Sequence, residues 1–281
     1  MSQQICGIGI GYQPDLHEDT MANLSKYDFI EVAPENFIGM NSLKDNLKAN
    51  EIRGQLPISL HGINLSLASS RNFEKKNELL RGVKEIANWF DSPFYSEHLS
   101  YTTEKEIDLD LYMPPIFNEA SVENVIKNIK HVKNELGLDF HIENVASLVN
   151  YTLEADMTEG EYVSKVCEAS DSGIILNLDS IAISSHTYKI DSVELLNSYP
   201  LHRVISITVV PESCMNPMLR KFYGTNIDQL MWSMLEYVFK NSPANSVLIQ
   251  RRFPRNTTDS LKNELAIAKE IFKSTKEIIV K

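Results

Sequence analysis

Short apolar runs rich in Ile, Val, Leu and Phe recur along the chain, separated by longer stretches with the periodicity of amphipathic helices. The runs fall near 6–12 (CGIGIGY), 28–33 (DFIEVA), 57–62 (PISLHG), 94–100 (FYSEHLS), 139–144 (DFHIEN), 173–179 (GIILNLD), 203–210 (RVISITVV) and 246–252 (SVLIQRR). Most successive runs start about 30 to 45 residues apart, the length of one strand, one crossover helix and two loops. Segments 118–137, 225–242 and 259–279 predict helices. Eight strand–helix units predict a (β/α)8 TIM barrel, an α/β fold, with residues 1–281 as a single domain. No internal repeat, low-complexity stretch or Pro/Gly-rich linker divides it. The "GIGIG" start is half of a dinucleotide fingerprint but lacks the last glycine, and a tight turn after the strand is the better reading.

Such a barrel carries its chemistry at the C-terminal ends of the strands. His61 ends the third run, Glu97 and His98 the fourth, His141, Glu143 and Asn144 the fifth, and Asn177 and Asp179 the sixth. A lone histidine at a strand end is usually structural. Two imidazoles and a carboxylate on adjacent strands, His61, His98 and Glu143, are instead the ligand set of non-haem Fe(II), and would also suit Zn or Mn. These three are the candidate catalytic and metal-binding residues. Glu97, His141, Asn144 and Asn177 are candidate supporting residues around them. His141 shares the strand parity of Glu143, so it either supports the ligands or is a buried, hydrogen-bonded histidine. Cys214, in "PESCMNP", could be a reactive thiol in the mouth, but no histidine lies near it in sequence.

Composition narrows the function classes. With 43% hydrophobic and 23% charged residues the chain can bury a large core. A formal net charge of −11 argues against nucleic acid as a partner. The basic cluster Arg251, Arg252 and Arg255 is the local exception, read as a solvated rim. Three widely spaced cysteines, with no C-x-x-C, suggest neither a disulfide framework nor a thiolate zinc site. With no secretory signal pattern and no run of about 18 apolar residues, a cytoplasmic protein without membrane segments is expected.

Read together, "YDFIEVAPENFIG", "PISLHGINLSLAS", "YSEHLSY", "FHIENVASLV", "DMTEGEYV" and "ILNLDSIAIS" resemble the multinuclear non-heme iron-dependent oxidative enzymes in consistent order from about residue 7 to residue 210. The resemblance implies a (β/α)8 barrel that oxidises a cysteine in a ribosomally made precursor peptide, as in methanobactin biosynthesis. It implies Fe and O2, and a partner protein that holds the leader segment of the peptide. Carried over by motif, it assigns iron to His61, His98 and Glu143. Asn177 stands where the family has an aspartate, and Asp179, two residues on, is the substitute ligand it suggests. Thr208 stands at a family histidine and Gln250 at a family glutamate, and no D-x-H follows, which points to a reduced metal site. A non-catalytic barrel that binds a peptide or protein is the alternative. Fold analogy alone adds a third reading, another metal-dependent isomerase or hydrolase.

Overall fold

The eight runs are strands in a computed structural model of the chain, which describes residues 4–39, 43–70, 73–104, 107–150, 154–211, 227–251 and 257–276. They are β1 (Gly7–Gly11), β2 (Phe29–Val32), β3 (Ile58–Gly62), β4 (Phe94–His98), β7 (Asp139–Glu143), β8 (Gly173–Asn177), β9 (Val204–Val209) and β10 (Ser246–Ile249). All are parallel to their neighbours and close in the order β1-β10-β9-β8-β7-β4-β3-β2. The remaining two, β5 (Tyr101–Glu104) and β6 (Ile107–Met113), form an antiparallel hairpin inserted after β4. This hairpin was not expected from the sequence.

Strand alternation divides the side chains into two sets. Ile8, Ile10, Ile30, Val32, Leu60, Ile142, Leu176, Ile207 and Val247 belong to one buried cluster with the apolar stripes of the helices. These stripes include Leu80, Val83 and Ile86 of α3 (Asn77–Phe90) and Val125, Ile129 and Val132 of α4 (Glu119–Leu136). Each such side chain contributes about 1.5–3 kcal/mol by leaving water. The opposite parity faces the barrel interior, where Ile5, Phe29, Phe94, Ile175 and Leu248 form a small separate cluster. Gly9 makes room for it, since a Cβ there would lie 2.3 Å from the Phe29 ring.

The crossover helices are unequal. α1 (His17–Ala22) and α2 (Leu47–Ile52) are short, while α3, α4 and α5 (Glu159–Ser170) are full-length. α4 starts at Asn118, whose side chain accepts from Ser121 N–H, and ends at Gly137 with a positive φ. α5 starts on a capping box between Thr158 and Glu161. α6 (Leu178–Tyr188) follows β8 directly, then come α7 (Ser192–Ser198), α8 (Ile227–Asn241) and α9 (Lys262–Lys276). Among the described residues no helix is long and apolar enough to cross a membrane.

The solvated-rim expectation fails for Arg251, which is 3% exposed. Its Nη1 lies 3.2 Å from Asp19 Oδ2 and its Nη2 donates to Tyr27 Oη at 3.2 Å. Asp19 also accepts from the Thr258 amide and hydroxyl. A buried guanidinium requires such a partner, and the cluster clasps the end of β10 to α1. Arg252 and Arg255 lie outside the described residues.

Candidate metal centre

Ligand atoms of His61, His98 and Glu143 all lie within 4.8 Å of one another, and the three residues are 4%, 5% and 1% exposed. Strand parity and register bring them together. His61 pairs with Ser96 across β3 and β4, and His98 pairs with Glu143 across β4 and β7.

Hydrogen bonds fix how each ligand presents itself. Ser96 Oγ donates to the Leu60 carbonyl at 3.2 Å, so its 3.0 Å contact with His61 Nδ1 is one in which the imidazole N–H donates. This network places a proton on Nδ1, so a neutral ring offers its lone pair at Nε2. That lone pair lies 3.2 Å from Glu143 Oε2, yet Nε2 makes no hydrogen bond among the described residues. The other carboxylate oxygen, Oε1, accepts from Asn177 Nδ2 at 2.6 Å. Asn177 is held in turn by Asn144, whose Oδ1 accepts from the Asn177 amide at 2.7 Å and whose Nδ2 donates to the Asn177 carbonyl at 3.1 Å. The Asn177 side-chain oxygen caps α6 by accepting from Ser180 N–H. Nε2 and Oε2 thus lie 3.2 Å apart in a dry site with no hydrogen bond between them, a contact that a cation held by both would stabilise. Two imidazoles and a carboxylate, oriented by fixed outer partners, suit a divalent transition metal.

The rings around His98 are close. His61 meets it edge-on with centroids 4.6 Å apart, and Tyr112 of β6 stacks on it at 3.9 Å and 15°. Sequence reasoning missed Tyr112. Its one signal is the alternation in "EIDLDLYM".

Glu97, expected to support the ligands, has the opposite parity from His98 and points away from the cluster. Its Oε1 accepts from Leu65 N–H at 3.0 Å and its Oε2 from Tyr95 Oη at 3.1 Å. Glu35, in the turn after β2, accepts through Oε1 from the Ile63 and Asn64 amides of the same loop. Burial, and then Glu35, push the Glu97 carboxyl well above the usual carboxylate range. Gly62 is required here, because a Cβ would lie 1.8 Å from Tyr95 Oη and 2.2 Å from Glu97 Oε2. The stretches S-L-H-G and S-E-H thus interleave ligands with the residues that hold the loop behind them.

His141 faces inward but accepts from Gly173 N–H at 3.1 Å and packs edge-on against Phe94. Burial lowers its pKa to about 4, so the ring is neutral. Among the described contacts none joins it to the three candidate ligands, and the buried structural alternative describes its place. The resemblance suggests Asp179 as a substitute ligand at the end of the sixth run. It stands instead in the first turn of α6, because the helix begins immediately after Asn177. It is buried and is not in the converging group. Thr208 is buried opposite Asn177, its hydroxyl without a hydrogen-bond partner among the described residues, and half-buried Gln250 follows β10. Cys214 lies outside the described residues.

A further carboxylate was overlooked. Glu31 of β2 has inward parity and pairs with Ser59 of β3. Burial raises its carboxyl to about 7, opposed by His61 and reinforced by Glu143.

Comparisons with known proteins give the fold and the family of the chain. UPF0276 proteins are similar along nearly the whole chain. That of Neisseria meningitidis serogroup B is 29% identical over 263 residues, covering 92% of each chain. That of Acinetobacter baylyi is 27% identical over 264 residues, covering 94% of this chain and 90% of its own. Among solved structures, the 3-keto-D-glucoside 4-epimerase YcjR from E. coli superposes with a TM-score of 0.60 at 10% identity, covering 94% of this chain and 99% of its own. The probable 3-DHS dehydratase AsbF from Bacillus anthracis gives 0.59 at 12% identity, covering 93% and 98%. At such identities these structures show the TIM-barrel fold alone. The profile of the RiPP precursor modification enzymes MbnB/TglH/ChrH matches residues 7–273, and the chain belongs to that family.

Proposed function

We propose that this protein binds iron through His61, His98 and Glu143 and, with O2, oxidises a cysteine of a ribosomally synthesised precursor peptide. The observation that carries the reading is the 3.2 Å approach of His61 Nε2 to Glu143 Oε2 without a hydrogen bond between them, each residue held by a hydrogen bond on its far side. Iron bound there would supply electron transfer to O2 and a Lewis-acidic position for the cysteine thiolate. The chain's own residues do the rest. Ser96 keeps the His61 proton on Nδ1, Asn177 holds the carboxylate, and the low exposure of all three ligands excludes bulk water. A second protein that holds the leader segment of the peptide completes the proposed assembly.

The second reading is a barrel that binds the peptide without oxidising it. It is favoured by Thr208 and Gln250, which offer neither imidazole nor carboxylate on the far side of the mouth. One experiment separates the two. The protein is co-expressed with candidate cysteine-containing precursor peptides, and the peptides are weighed by mass spectrometry. A mass change at cysteine that requires His98 supports the oxidase. Co-purification of an unmodified peptide under iron-replete, aerobic conditions supports the binding protein.

A further inference from the structure

We infer that Tyr112 is a positioning residue for His98 and the cover over its imidazole, so that a reagent approaching that face of His98 must pass the tyrosine ring. The inference rests on the metal-centre reading for its positioning half only.

Tyr112 belongs to neither a barrel strand nor a barrel helix. It comes from β6, in the hairpin between β4 and α4. His98 is 5% exposed and Tyr112 is 39% exposed, so the tyrosine has water on one side and the imidazole on the other. The ring planes are 15° apart with centroids at 3.9 Å, a stacked contact across the aromatic faces. With His61 edge-on at 4.6 Å, the two rings together restrict rotation of the His98 imidazole. An imidazole can serve as a ligand only when its nitrogen is aimed, and the stacking aims it.

The hairpin is also tied to the loop that follows His61. Ser66 Oγ accepts from the Thr102 and Thr103 amides, and the Ser66 hydroxyl donates to the Thr103 carbonyl. The Ala68 amide donates to the Ser100 carbonyl. Ser66 is fully buried with a φ of +54°, a strained conformation for a residue with a side chain, and three hydrogen bonds hold it there. The base of the hairpin is therefore anchored beside one ligand while Tyr112, on its second strand, covers another.

Two readouts test the inference on the full-length protein. The first uses metal-free protein and diethyl pyrocarbonate, with carbethoxylation of His98 followed by peptide mass mapping and exposed His202 as the internal reference. Tyr112→Ala is expected to speed modification of His98 several-fold relative to His202, while Tyr112→Phe, which keeps the stacked ring, matches wild type. The second is titration with Co(II), read by its visible spectrum. Tyr112→Ala is expected to weaken binding about tenfold, the scale of lost outer-sphere support, and Tyr112→Phe to restore it. Thermal melts establish that each variant is folded. Equal His98 reactivity in wild type and Tyr112→Ala, or a Tyr112→Phe variant that behaves like Tyr112→Ala, overturns the inference. If wild type binds no Co(II), the metal-centre reading and the positioning role both fall, and the carbethoxylation comparison still decides whether Tyr112 covers His98.

Discussion

Asn177→Asp is a nearly isosteric change that turns the hydrogen bond to Glu143 into a confrontation of two carboxylates. The introduced carboxylate still accepts from Ser180 N–H, so the cap of α6 survives. Only the donor to Glu143 Oε1 is lost, at a separation of 2.6 Å. Two unit charges at that distance repel by about 6 kcal/mol at an effective dielectric of about 20. The folded protein escapes part of this by taking up a proton, which at pH 7 costs about 3.5 kcal/mol for a carboxyl of ordinary pKa. The protonated pair then regains a hydrogen bond, so the metal-free variant should lose about 3 kcal/mol at pH 7. For a domain of this size that lowers the melting temperature by roughly 5 °C. The loss should shrink towards pH 5, where protonation is cheap, and a divalent cation should reverse it by sitting between the carboxylate and the imidazoles. Scanning calorimetry at pH 5 and pH 8, with and without Mn(II) or Co(II), measures all three effects. A variant that melts with wild type at pH 8 without metal, or that gains nothing from the cation, would refute the reasoning.

Three other outcomes are expected. Gly9→Ala should destabilise by about 1–3 kcal/mol in urea unfolding, because its Cβ would lie 2.3 Å from Phe29 inside the barrel. Asp19→Asn should cost about 3 kcal/mol by leaving the buried Arg251 charge uncompensated, read from the same unfolding curves. Glu31 governs a pH dependence in metal-free protein. Its carboxyl is raised from 4.5 to about 7 on folding, so the unfolded chain ionises first as pH rises. Stability is complete below pH 4.5 and falls by up to about 3 kcal/mol as pH climbs to about 7. Glu31→Gln should flatten that slope in melts taken across the range.

Strands carrying His61, His98 and Glu143 were legible because branched apolar residues mark one face of each and leave polar residues on the other. Period-two alternation also separates neighbouring side chains onto opposite faces. Glu97 and His98 are neighbours on one strand, so only one of them can face the interior. The same alternation exposes Glu31, flanked by Ile30 and Val32 in "DFIEVA". Asp179 ends the sixth apolar run in the sequence but lies on a helix, because Asn177 is already the cap of α6. The β5–β6 hairpin escaped notice since its short strands sit outside the barrel and lack the strand–helix spacing of the other units. Arg251 looked solvated because its counter-charge, Asp19, lies at the other end of the chain, where only folding brings it near.

The most direct test of the metal centre is iron stoichiometry after anaerobic reconstitution with Fe(II), comparing wild type with His61→Ala and Glu143→Gln. The account predicts at least one tightly bound iron per wild-type chain, lost in each variant while the fold persists by circular dichroism. Wild-type protein that retains no iron, or variants that retain as much as wild type, would contradict it.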